Sequence, residues 1–463
     1  MEREHCEYLS LTERSKLDAD HRADGSALWL LALMILFNLA LPSRGQTAAA
    51  PLPSHESDTL ADSLRNSNGK EIHIFYIHGI GSDGPNDYDS LLLRKSLCAY
   101  LKDCTTPAGT EIGPWDYADQ DEFEPKAPVP KLEYMDDPVW KNQEEWRASA
   151  PYAIHFQLVR SNGPALYVDE LNWWPLTFAL KCRQIIASDA KSVAPEKTRI
   201  ETCSHREPNP DVPLRFKSYD WITQETASQL LQLHSKAARV NRAAKTDLLD
   251  WGFSDAVMAL GPLRTYLLAG IRQLVLKSLA DLPATSKADV EKPKANQEFI
   301  IVSHSLGSYL IFSALDVNQA TEKSTAVLQA GNSFNEVLER TSSVYFFANQ
   351  LRLLELVGLD GPGDKNIATH LEDWAKARCE YLKSLPGAAQ ECKPPRIVAL
   401  NDPSDLLTWT VPEISGVDIK NYSVKNSTHW FGLIENPTLA HNNYARDKRA
   451  IKEMLRSGSD VKK

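Results

Sequence analysis

The residues best suited to chemistry in this chain surround Ser305, in Val302-Ser303-His304-Ser305-Leu306-Gly307-Ser308. They lie between a near-continuous apolar run (Glu298 to Val302) and a helical pattern that runs on to Leu315. A turn this tight between strand and helix strains its middle residue, so small residues are needed two positions to either side, where Ser303 and Gly307 stand. Such a turn aims the Ser305 hydroxyl off the end of a sheet into an open crevice, at a helix N-terminus that favours negative charge. The plainer reading of the same residues is a serine-rich helix start with Ser303 as N-cap. A serine alcohol is a weak nucleophile until a base takes its proton, and the base needs an acid to hold its tautomer and orientation. Carboxylates are available at Asp402 and Asp405, just after the run Arg396 to Leu400, and imidazoles at His370, His429 and His441.

A second turn, His78-Gly79-Ile80-Gly81, closes the first strong strand pattern, Ile72 to Ile77. With the elbow at Ser305 it resembles the α/β-hydrolase superfamily, in its serine esterase and lipase branch. The departure is Ser303, where that family usually carries glycine. The resemblance implies that the backbone N–H groups of Leu306 and Ile80 receive the oxyanion, with Gly79 and Gly81 letting the chain turn inward and His78 packing beneath the turn. It also implies the chain order serine, acid, histidine, which puts His370 out of place. Asp405, ahead of Leu406-Leu407, is similar to the family's acid, with Asp402 as alternate. His441 lies in a polar loop before a terminal helix, as the family's base does, with His429 as alternate. The implied activity is hydrolysis of carboxylic esters, with an ester or lipid as substrate and no cofactor or metal. A non-catalytic binding protein on the same fold and an acyltransferase using the same triad are the rivals.

The elements that must position these residues have a consistent pattern. Apolar runs at 72–77, 298–302, 343–347 and 396–400, separated by helical stretches, predict an α/β fold with a mostly parallel sheet covered on both faces. Further strands are expected at 152–159, 165–171 and 417–424, and helices over about 88–100 and 444–455. Residues 105–150 form an acidic insertion, with eleven acids against three lysines between Glu111 and Glu145. Residues from about 185 to 295 read as a helical cap, and Trp173, Trp174, Trp221 and Trp251 either line an acyl pocket or fill core. The resemblance implies that 70–463 is one α/β-hydrolase domain with these insertions.

Ahead of it, residues 1–45 form an extension and 46–69 a linker. The run Ala27 to Leu41 is 15 residues of apolar character, short for a span of about 20 and suited to a signal sequence or signal-anchor. Cys98, Cys104, Cys182, Cys203, Cys379 and Cys392 fall into three sequence-local couples. Nearest-neighbour pairing is one of fifteen possibilities, and six free thiols is the alternative. Pairing would close short loops in surface excursions and fits a protein that is secreted, periplasmic or tethered to the membrane through residues 27–41. Asn421-Tyr422-Ser423 and Asn426-Ser427-Thr428 match glycan acceptor sequons. The composition, 43% hydrophobic and 24% charged, is that of a globular chain. Its formal charge of −10 supplies no overall attraction to nucleic acid.

Overall fold

The computed structural model describes, apart from a few positions inside these spans, residues 71–80, 88–105, 109–112, 151–160, 166–186, 245–261, 264–279, 297–315, 335–354, 367–385, 394–426 and 429–445, with isolated positions elsewhere. The apolar run 27–41, the linker to residue 69 apart from Leu60, and the core of the acidic insertion lie outside the described residues, as do Gly81 and Trp221.

The strands are β1 (Glu71–Ile77), β2 (Cys104–Thr105), β3 (Thr110–Ile112), β4 (Tyr152–Arg160), β5 (Leu166–Asn172), β6 (Gln297–His304), β7 (Thr341–Phe347), β8 (Arg396–Asn401) and β9 (Asp418–Ser423). They form one sheet in the order β2-β4-β5-β1-β6-β7-β8-β9, with β3 also on β4. From β5 to β9 every neighbouring pair is parallel. β4 instead runs antiparallel to β5, so the sheet is mixed at that flank. The five residues between β4 and β5 are too few for the crossover that parallel pairing needs, and a hairpin results.

Apolar runs without alternation form these strands because both faces are covered. On β1, Ile72, Ile74 and Tyr76 join one core cluster while Phe75 and Ile77 join the other. The first cluster is completed by helix α1 (Tyr88–Leu101) through Leu93 and Leu97, and by Trp174 and Phe178 of α2 (Trp174–Leu180). After a π-helical segment, Lys245–Phe253, come α3 (Ser254–Leu260) and α4 (Arg264–Leu279). α4 falls in the stretch expected as a cap, yet Leu267, Leu268, Ile271, Leu274 and Val275 bury against the second face of the sheet. α5 (Gly307–Leu315) and α6 (Ile367–Ser384) cover that same face. Each large apolar side chain buried in this way contributes roughly 1.5–3 kcal/mol. Trp173 and Trp251 are fully buried and Trp174 nearly so, which makes them core.

This topology decides where a site can form. From β1 the chain moves towards β4 and β5 on one side, and from β6 it proceeds to β7, β8 and β9 on the other. The connections leaving the C-terminal ends of β1 and β6 therefore part in opposite directions, which is where a parallel sheet of this kind can form a site. His78-Gly79-Ile80 follows β1 there, and Ser305 follows β6.

Candidate active site

Ser305 takes up a left-handed backbone conformation, φ 53°. A non-glycine residue held so carries strain of about 1–3 kcal/mol and persists where its surroundings over-determine it. Here Ser305 N–H donates to Phe347 O at the end of β7, and the Ser305 carbonyl accepts from Ser308 Oγ. Both flanking positions are tight. A Cβ on Gly307 would lie 2.5 Å from the His78 carbonyl oxygen, so glycine lets α5 start directly beneath the end of β1. Ser303, at the other flanking position, is completely buried.

Three side chains distant in sequence converge on this turn. Ser305 Oγ is 3.0 Å from His441 Nε2. His441 Nδ1 is 3.0 Å from both Asp405 Oδ1 and Asp405 Oδ2. The tautomer that satisfies both contacts has Nδ1–H donating to the carboxylate and Nε2 accepting from the serine hydroxyl, ready to take its proton. Leu407 N–H also donates to Asp405 Oδ1, at 2.9 Å.

The alternates are used differently. Asp402 is buried, and its carboxylate accepts from the backbone N–H groups of Ser404 (2.9 Å) and Asn426 (2.5 Å), an Asx turn that shapes the loop carrying Asp405. His429 stands in a two-residue ribbon, β10 (His429–Trp430) with β11 (Ile434–Glu435), paired with Glu435. His441 itself does not lie in a loop as expected. It belongs to a short helix, α7 (Pro437–Asn442), opened by a proline whose fixed φ suits a first helical position.

The His78-Gly79-Ile80 turn is packed against the serine, with a Cβ on Gly79 falling 2.5 Å from Ser305 Cβ and 3.2 Å from Oγ. His78 braces it. Its Nδ1–H donates to Gly79 O (2.9 Å), and its Nε2 accepts from Trp173 N–H (3.3 Å). The Trp173 ring stacks on His78 at 5.1 Å and 8°, and its Nε1–H donates to the His78 carbonyl (3.0 Å). Burial, opposed by the Gly79 hydrogen bond, lowers the His78 pKa to about 3, so the ring is neutral. His304 has a similar role on the other side, its Nε2–H donating to the His441 carbonyl (2.8 Å). Burial and then neighbouring His441 bring its pKa down to about 4.

Tyr444 and Trp173 are contacts that sequence reasoning does not assign. The Tyr444 hydroxyl accepts from Asp402 N–H (2.7 Å) and donates to Asp405 Oδ2 (3.1 Å). In sequence these are two aromatics among many. The available signal for Trp173 is its position directly after β5, at the same C-terminal end of the parallel strands as His78. The expected open crevice is not met at the nucleophile: Ser305 has no exposed surface and His441 is 7% exposed.

Three disulfides join Cys98–Cys104, Cys182–Cys203 and Cys379–Cys392, the nearest-neighbour pattern, and mark an oxidising, extracellular-type environment. Cys182 and Cys203 are fully buried, so that pair is core and not a surface excursion. No helix among the described residues is long and apolar enough to cross a membrane. The sequon amides are engaged within the fold. Asn421 exchanges two 2.9 Å hydrogen bonds with the Val411 backbone, and Asn426 Nδ2 donates to Ala440 O.

Comparison with protein-family models, with curated proteins and with solved structures returns no match, so the chemistry rests on this geometry.

Proposed function

We propose that this chain is a serine hydrolase of carboxylic esters built on an α/β-hydrolase fold. The observation that carries the reading is the unbroken line from Asp405 through His441 to Ser305, with 3.0 Å contacts at each step and the serine on a strained strand-to-helix turn. A core serine without catalytic duty has no need of a left-handed backbone, an imidazole on its hydroxyl and a carboxylate behind that imidazole.

In the reaction, His441 Nε2 takes the Ser305 proton as Oγ bonds to the ester carbonyl carbon, and the carbonyl π pair moves onto oxygen. The N–H groups of Leu306 and Ile80 receive that oxyanion, each such donor contributing about 3–4 kcal/mol. The intermediate collapses, the C–O bond to the alcohol breaks, and the departing oxygen takes the proton from His441. Water then adds to the acyl-serine by the same route and releases the acid. Asp405 keeps Nδ1–H directed at itself and stabilises the imidazolium.

The test is a series of p-nitrophenyl esters of graded chain length, followed in the first turnover. The reading expects a burst of about one nitrophenol per molecule, lost in Ser305→Ala. Hydrolysis that Ser305→Ala leaves intact defeats it.

A further inference from the structure

We propose that Tyr444 is a positioning residue that sets how strongly Asp405 draws on His441, an inference that rests on the hydrolase reading above. The geometry is specific. Asp405 Oδ1 accepts from Leu407 N–H (2.9 Å) and Oδ2 from the Tyr444 hydroxyl (3.1 Å), so each carboxylate oxygen has its own donor besides the imidazole. The hydroxyl in turn accepts from Asp402 N–H (2.7 Å) and also has the Thr408 side chain beside it, and its own single proton is given to Asp405. The ring is 1% exposed and lies parallel to Phe347, 12° apart at 6.2 Å, so the phenol cannot swing away.

Among the described residues, three titratable side chains face the pair. His304, from the end of β6, gives its proton to the His441 carbonyl. Asp402, from the acid loop, holds backbone N–H groups with both oxygens. Tyr444 is the third, and burial followed by the Asp405 charge raises its ionisation far above the usual phenol range, so it remains a donor. A donor on Oδ2 disperses carboxylate charge. Without it Asp405 pulls harder on Nδ1–H and favours the imidazolium, while the Asp402 N–H loses its acceptor and the acid loop loosens.

Tyr444→Phe tests this by two readouts. In resting protein labelled at histidine nitrogen, the far-downfield His441 Nδ1–H resonance moves further downfield. In the rate–pH profile the acidic limb moves to higher pH and kcat falls by about threefold to tenfold. Should Tyr444→Phe fold poorly, a fluorinated tyrosine at position 444 keeps the ring shape and donates more strongly, and moves the resonance upfield. A resonance and limb that stay in place, with only a lower melting temperature, would show Tyr444 to be core filling and overturn the proposal. The resonance needs no substrate. If it moves as expected while Ser305 proves inert to fluorophosphonates, the hydrolase reading fails and the positioning relation stands.

Discussion

Gly79 and Ser305, 226 positions apart in the chain, touch so closely that a methyl group on the glycine would lie 2.5 Å from the serine Cβ. The turn after β1 and the turn after β6 therefore form one surface, and neither can shift without the other.

Gly79→Ala follows directly. The added carbon also meets the His304 carbonyl oxygen at 3.1 Å, backbone that cannot step aside. The turn should be displaced by several tenths of an ångström, enough to misalign an oxyanion donor, and kcat should fall about 100-fold. Overpacking of this size costs about 1–3 kcal/mol, so the variant should still fold. A kcat within twofold of wild type would separate this turn from the chemistry.

Acid sensitivity is the second expectation. His78 and His304 are neutral in the folded chain, with pKa values of about 3 and 4 against 6.5 for an ordinary histidine. Below pH 6.5 the unfolded chain binds protons that the folded chain refuses, so stability is full above that pH and is lost as pH falls towards those lower values. At pH 5 each ring should cost about 2 kcal/mol. Urea midpoints at pH 7.5 and pH 5 check this, and His304→Gln, which retains a donor for the His441 carbonyl, should flatten the dependence. An unchanged slope in that variant would remove His304 from the account.

Much of the site was legible because its residues obey local rules. The elbow stands out through an apolar strand before Ser305, a helix after it and small residues at 303 and 307. The order serine, acid, histidine removes only His370; Asp405 and His441 stand ahead of Asp402 and His429 through their local likeness to the acid and base of the resembled family, and they are the pair that the structure brings to Ser305. What escaped depends on contacts between distant segments. Trp173 and His78 are 95 positions apart, and nothing in Asn172-Trp173-Trp174 distinguishes a brace from a core aromatic. The helical register of His441 was signalled by Pro437 but obscured by the polar residues around it. The burial of Cys182–Cys203 depends on α2 and the segment near Trp251 closing over it, which composition does not reveal.

The disulfides should differ in consequence. Cys182–Cys203 links residues 21 apart in the buried core, whereas Cys98–Cys104 links residues 6 apart at a half-buried helix end. Removing the first pair, as Cys182→Ala with Cys203→Ala, should cost about 3 kcal/mol of stability and the second pair less. In native protein under mild reductant, alkylation followed by mass spectrometry should find Cys98 and Cys104 modified before Cys182 and Cys203. Equal losses and simultaneous modification would contradict the placement of Cys182 and Cys203.

The central claim is that His441 and Asp405 make Ser305 a nucleophile, and a fluorophosphonate probe with adduct mapping tests it most directly. The account predicts a single stoichiometric adduct on the peptide carrying Ser305, absent in Ser305→Ala and reduced at least 100-fold in His441→Ala. Folded protein that takes up no probe, or takes it up equally in all three, would contradict it.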